Sequence, residues 1–170
     1  MMRIALGGGC HWCTEAVFQS LKGVEKVDQG YVASVGENQA FSEAVIVYFN
    51  TKVIALKTII EIHLYTHKST SNHSMRGKYR SAVYVFSEKQ KQDAKLIIKT
   101  FQNDFDNLLI TQVLDFAAFE ASREAIQNYY YKNPKKPFCE SFINPKLQLL
   151  LKQFLIHTDQ DKIKNYVLLL

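Results

Sequence analysis

The stretch MRIALGGGCHWCTEAVFQSL, residues 2–21, constrains the fold of this 170-residue chain more than any other. A short apolar run is cut off by Gly7-Gly8-Gly9, and apolar side chains then recur at 12, 13, 16, 17 and 21, the spacing of one helix face. Strand, tight glycine turn and helix follow in that order. Cys10 falls at the first turn of the helix, where unpaired backbone N–H groups and the positive end of the helix dipole favour thiolate over thiol. The glycines fit a site where a substrate oxygen approaches backbone amides, since Cβ atoms would block it.

The remaining pattern alternates the two element types. Gly23 is placed to end the first helix. VEKVDQGYVAS (24–34) and FSEAVIVYF (41–49) read as two hairpin strands, the second buried on both faces. Residues 53–67 have helical periodicity and 79–86 form a strand. Ser87 with Gln90 makes a capping box for a helix to about Phe105. Residues 109–116 read as a strand and 120–131 as a helix. Asn144-Pro145 reads as an N-cap and first helical residue for a helix through Ile156. The longest loop, 132–144, carries Cys139. This order predicts one α+β domain over 1–170, a two-layer α/β sandwich with a ferredoxin-like βαββαβ core.

With 47% hydrophobic and 22% charged residues the chain can bury one core. It has no apolar run of membrane-spanning length and no signal-type cleavage pattern, so no membrane partner and a cytoplasmic location are expected. Three cysteines are too few, and odd in number, for a secreted disulfide framework, which points to redox or nucleophilic chemistry. The net charge of +5 comes from scattered lysines rather than a basic stripe interleaved with aromatics, which argues against a nucleic-acid partner. His63 and His67 stand at i, i+4, a spacing that could bind zinc, but no cysteine lies nearby and no metal is expected.

Cys10-x-x-Cys13 beside a βαβ pattern is the local signature of thioredoxin-like oxidoreductases. Those folds place a cis-proline opposite the motif, whereas the three prolines here, 134, 137 and 145, all lie late in the chain. A second family accounts for more. GGGCHWCTEAVFQSLKGV closely resembles the cysteine box of the A-type peptide methionine sulfoxide reductases. The similarity resumes at Gly30-Tyr31, Ser42-Glu43-Ala44-Val45, His67, Tyr79-Arg80-Ser81-Ala82, Tyr129 and NPKKPFCESFINPKLQLLLKQF, spanning residues 3–154 and leaving 155–170 as a C-terminal extension.

The resemblance implies reduction of methionine-S-sulfoxide in proteins or peptides by a monomer that needs no metal or organic cofactor and takes electrons from thioredoxin. Cys10 would attack the sulfoxide sulfur and become a sulfenic acid, and Glu43 would supply the proton to the oxygen. Trp12 would floor the pocket for the substrate methyl group. Cys139, in NPKKPFC, matches the family's resolving cysteine, while Cys13, one turn from Cys10, can also span a disulfide to it. The chain departs from the family at several points. His11 stands where a phenylalanine completes the methyl pocket, the stretch between Tyr31 and Glu43 is short and lacks a tyrosine, and Glu120 aligns with a second oxygen-binding tyrosine. Asp115 reads as an acidic partner of the site. Two other readings stay open: a general disulfide oxidoreductase using Cys10 and Cys13, and a family member with altered sulfoxide specificity.

Overall fold

The computed structural model describes residues 1–163, so residues 164–170 of the expected single domain and its extension lie outside it. Strand β1 (Met2–Gly7) leads through Gly8 and Gly9 to helix α1 (His11–Gln19). Then come β2 (Val24–Ala33), β3 (Ser42–Phe49), α2 (Leu56–Thr66), β4 (Ala82–Val85), α3 (Glu88–Phe101), β5 (Gln112–Asp115) and β6 (Ala118–Ala121). A C-terminal helical segment holds α4 (Tyr129–Lys132), α5 (Asn144–Gln153) and α6 (Gln160–Ile163).

The six strands form one sheet in the order β5-β4-β1-β3-β2-β6. Only β4 and β5 are parallel; all other neighbours are antiparallel. The edge strands β5 and β6 are joined by only Phe116 and Ala117, whose N–H groups bond the carbonyls of Val85 and Ala33. A two-residue link between opposite edges requires the sheet to curl on itself. Side chains alternate accordingly. Ile4, Leu6, Val45, Val47 and Val83 join the large core under the helices, while Ala5, Ala44, Ile46, Ala82 and Tyr84 fill the inside of the curl. The expected two-sided burial of β3 is therefore observed. Nine-residue α1 is too short to be stable alone. Its Val17 and Phe18, in the last turn, are fully buried, each contributing about 1.5–3 kcal/mol, which anchors the helix to the core.

Several expectations need correction. Gly23 lies at φ 86° in the turn leading into β2, after the helix has already ended at Gln19. Residues 120–131 do not form a helix: 118–121 are strand β6, and only 129–132 are α-helical near the end. Pairing decided this, because Gly30 leaves room on β2 for the Glu120 carbonyl where a Cβ would collide. Asn144 is no N-cap, since a wide π-type turn, Cys139–Ile143, runs straight into α5 and the Asn144 side chain instead accepts from the Tyr130 hydroxyl at 2.6 Å. The expected 132–144 loop shrinks to 133–136. The Ser87 cap holds, its Oγ accepting from Gln90 N–H at 3.1 Å. Among the described residues no helix is long and apolar enough to cross a membrane.

Candidate active site

The glycine turn brings three segments together, though not for the reason the sequence suggested. A Cβ on Gly7 would sit 2.9 Å from the Arg80 carbonyl oxygen and 3.0 Å from that of Glu43, and one on Gly8 would collide with the His67 ring at its Cδ2. These two glycines let the end of β1 pack against β3, the 78–80 segment and α2. Only Gly9 faces open space. Cys10 occupies the N-cap of α1, half-buried. Its pKa lies below the ordinary cysteine value chiefly because the Cys13 thiol donates to its sulfur, with the N–H groups of Trp12 and Cys13 helping; burial and the charge of Glu43 oppose this. The same bond pushes Cys13 up, since Cys10 holds its proton in place, and burial adds to the effect.

Glu43 sits on β3 opposite Tyr31 of β2 and is almost fully buried. Its position is pinned through the neighbouring Ser42, whose hydroxyl donates to the Lys78 carbonyl at 2.9 Å and accepts from Arg80 N–H at 2.8 Å. Carboxylate oxygen Oε1 accepts the His11 backbone N–H at 3.2 Å and lies 3.3 Å from His11 Nε2. His11 Nδ1 lies 2.7 Å from the Gly30 carbonyl, which can only accept, so Nδ1 carries hydrogen. The Nε2–Oε1 contact then needs one proton, on nitrogen or on oxygen, to be attractive. Lys78 Nζ stands 3.8 Å from the other oxygen.

These groups line a cleft of about 470 Å³ that also takes in Cys10, Trp12, Tyr31 and Tyr79. Tyr129 stacks on the Trp12 indole at 4.0 Å with planes 9° apart, and Phe138 meets it edge-on. Glu15, buried one turn along α1, fixes this wall by accepting from the N–H groups of Asn128 at 2.9 Å and Tyr129 at 3.1 Å; burial raises its pKa. A second cleft of about 440 Å³ opens on the other flank of Cys10, floored by Cys13 and bordered by Lys68, Lys146 and Phe142. The Lys146 ammonium donates to the Thr66 carbonyl.

Of the sequence candidates, Cys10, His11, Trp12, Glu43 and Cys13 come together here. Cys139 is fully buried in the π-type turn, its thiol donating to the Asn133 carbonyl at 3.6 Å, with a pKa raised by burial. Asp115 does not join the site. It pairs in register with Val85, at the opposite end of β4 from the Ala82–Gly7 contact, and is exposed beside Lys91. Glu120 lies in the row Glu43, Tyr31, Glu120 across three strands, but exposed and outside the cleft. Sequence reasoning missed the phenols of Tyr31 and Tyr79 and the stacked Tyr129. The first two stand in segments already matched, GY and YRS, and strand alternation puts Tyr31 on the Glu43 face. His63 and His67 hydrogen-bond to the Gly7 carbonyl and to Ser81, at 2.8 Å each. No metal-binding cluster exists among the described residues.

Comparison with known proteins places this geometry. The profile of the family described as Peptide methionine sulfoxide reductase matches residues 2–158. The chain is 38% identical to "Peptide methionine sulfoxide reductase MsrA" of Trichodesmium erythraeum (strain IMS101), over 89% of this chain and 94% of that protein. Among solved structures it resembles reduced Mxr1 from Saccharomyces cerevisiae, with a TM-score of 0.71, 24% identity and coverage of 81% of this chain and 88% of that one. Mxr1 in complex with Trx2 is similar at a TM-score of 0.60 and 22% identity, covering 72% and 81%.

Proposed function

The chain belongs to the peptide methionine sulfoxide reductase family, and we propose that it reduces methionine-S-sulfoxide residues of oxidised proteins and peptides, with thioredoxin as reductant and no metal or organic cofactor. The observation that carries this reading is the meeting, in one cleft, of a half-buried thiol of lowered pKa with a buried carboxyl group 3.3 Å from the His11 ring nitrogen. A sulfoxide needs a soft nucleophile at sulfur and a proton at oxygen. The Cys10 thiolate attacks sulfur while the Glu43–His11 pair gives its proton to oxygen, with the Tyr31 and Tyr79 walls adding phenols at the cleft. Methionine leaves and Cys10 retains the oxygen as a sulfenic acid. Trp12, backed by Tyr129, offers the apolar surface for the methyl group.

Cys13 resolves the sulfenic acid in this reading. It lies one helical turn from Cys10 and gives its proton to the Cys10 thiolate as a hydrogen bond, and oxidation removes the thiolate that was holding that proton. Cys10–SOH and Cys13–SH then give the Cys10–Cys13 disulfide and water. Cys10, partly exposed where Cys13 is buried, presents that disulfide to thioredoxin; the Trx2 complex of Mxr1 supports such a partner. Cys139 remains the second reading, favoured by its place in a π-type turn, a feature frequent at functional sites. The reading also takes the protein as a cytoplasmic monomer of one domain, with β4-β1-β3-β2 as a ferredoxin-like centre. An assay resolving the two sulfoxide epimers tests the function: the S epimer of a methionine sulfoxide peptide should be reduced and the R epimer left. Reduction of insulin disulfides with no sulfoxide turnover would favour a general oxidoreductase instead.

A further inference from the structure

Both clefts beside Cys10 are edged by lysines. Lys78 lines the first, with its side chain 57% exposed, and Lys68 and Lys146 border the second. Lys136 holds its ammonium 4.5 Å above the ring of Tyr129, the residue stacked on Trp12. Among the described residues Glu43 is the one carboxylate lining either cleft, and it is buried against His11. Lys68, Lys136 and Lys146 enter no ion pair among the described residues, so no acidic side chain neutralises this part of the rim. Between these cations stand exposed apolar side chains, Phe41 and Met75 at 45% and 50% and Phe142 at 59%.

We propose that the two clefts form one docking groove for a polypeptide segment whose methionine sulfoxide is flanked by aspartate or glutamate. This rests on the reductase reading above. A sulfoxide is uncharged, so a cationic rim acts on what lies beside it in the chain. A side chain seated beside Trp12 and Glu43 leads its main chain over Cys10, which lines both clefts together with Tyr79 and Phe138, toward Lys68 and Lys146. The apolar rim residues give that main chain a surface to lie on. Each exposed charge pair contributes little alone, but several charges of one sign around a cleft focus the field and speed association.

The test compares kcat/KM for three substrates: a small uncharged methionine sulfoxide amide, a peptide with Asp on both sides of the sulfoxide, and the same peptide with Lys. At low ionic strength the Asp peptide should exceed the Lys peptide by about tenfold, and the ratio should approach one in about 0.5 M salt. Lys68→Glu combined with Lys136→Glu should invert the preference. Equal use of the two peptides at low salt overturns the proposal. So does a double variant that raises the KM for thioredoxin while leaving the peptide ratio intact, because the rim then serves the reductant. Absence of turnover on the small amide in the unaltered protein would instead reject the reductase reading itself.

Discussion

Cys13 and Cys139 are both buried thiols with raised pKa values, yet they are held for different reasons. Cys13 keeps its proton first because the neighbouring Cys10 sulfur accepts it and only second because of burial. Cys139 keeps its proton because it is shut away from water, its charged neighbours Lys136 and Glu140 acting in opposite directions. The first restraint vanishes when Cys10 is oxidised; the second persists until the C-terminal segment opens. A chemical step can therefore unlock one thiol, whereas the other waits for a conformational one.

The comparison can be broken most severely at Cys10. Cys10→Ser should form no methionine, even in a single turnover with stoichiometric enzyme, because neither buried thiol can replace it. Next is Cys13→Ser, which should release one equivalent of methionine and then stall with thioredoxin present, while Cys139→Ser should keep cycling. Glu43→Gln, nearly unchanged in size and unable to give a proton, should slow the chemical step by about 10²-fold or more in rapid-quench measurements. Cys13→Ala sharpens the contrast further. It removes the leading cause of the lowered Cys10 pKa, so alkylation of Cys10 by iodoacetamide at neutral pH should slow, and its rate-against-pH curve should move to higher pH.

The smallest effect concerns stability. His63, fully enclosed, has its pKa pushed down to about 4 by burial. The unfolded chain therefore takes up a proton that the folded one refuses. The stability associated with this group is complete above pH 6.5 and is lost as pH falls toward 4, by roughly 3 kcal/mol in urea unfolding. His63→Asn should flatten that slope. Like Cys139 and unlike Cys13, this group is governed by enclosure.

Local chemistry was legible in the sequence where it decided the structure. The apolar run, three glycines and helix spacing placed Cys10, Trp12 and Cys13 correctly, and the β2–β3 hairpin placed Glu43. What failed depended on distant pairing. Strand β6 is four residues, AFEA, whose conformation is set by β2 and Gly30, so it passed for helix. Asp115 ends a strand parallel to β4, and only that register shows it to be remote from the cleft. Cys139 looked like part of a proline-containing loop because nothing local reveals that the chain turns helical there and buries it. Pairing and burial of this kind are properties of the assembled fold.

The resolving step is the point on which the account stands, and peptide mass mapping reaches it directly. Reduced enzyme receives one equivalent of methionine-S-sulfoxide peptide without thioredoxin, is quenched in acid, and is digested with its disulfides intact. The account predicts a fragment carrying a Cys10–Cys13 linkage and free Cys139. A Cys10–Cys139 linkage formed at the same rate as methionine, with Cys13 free, would contradict it.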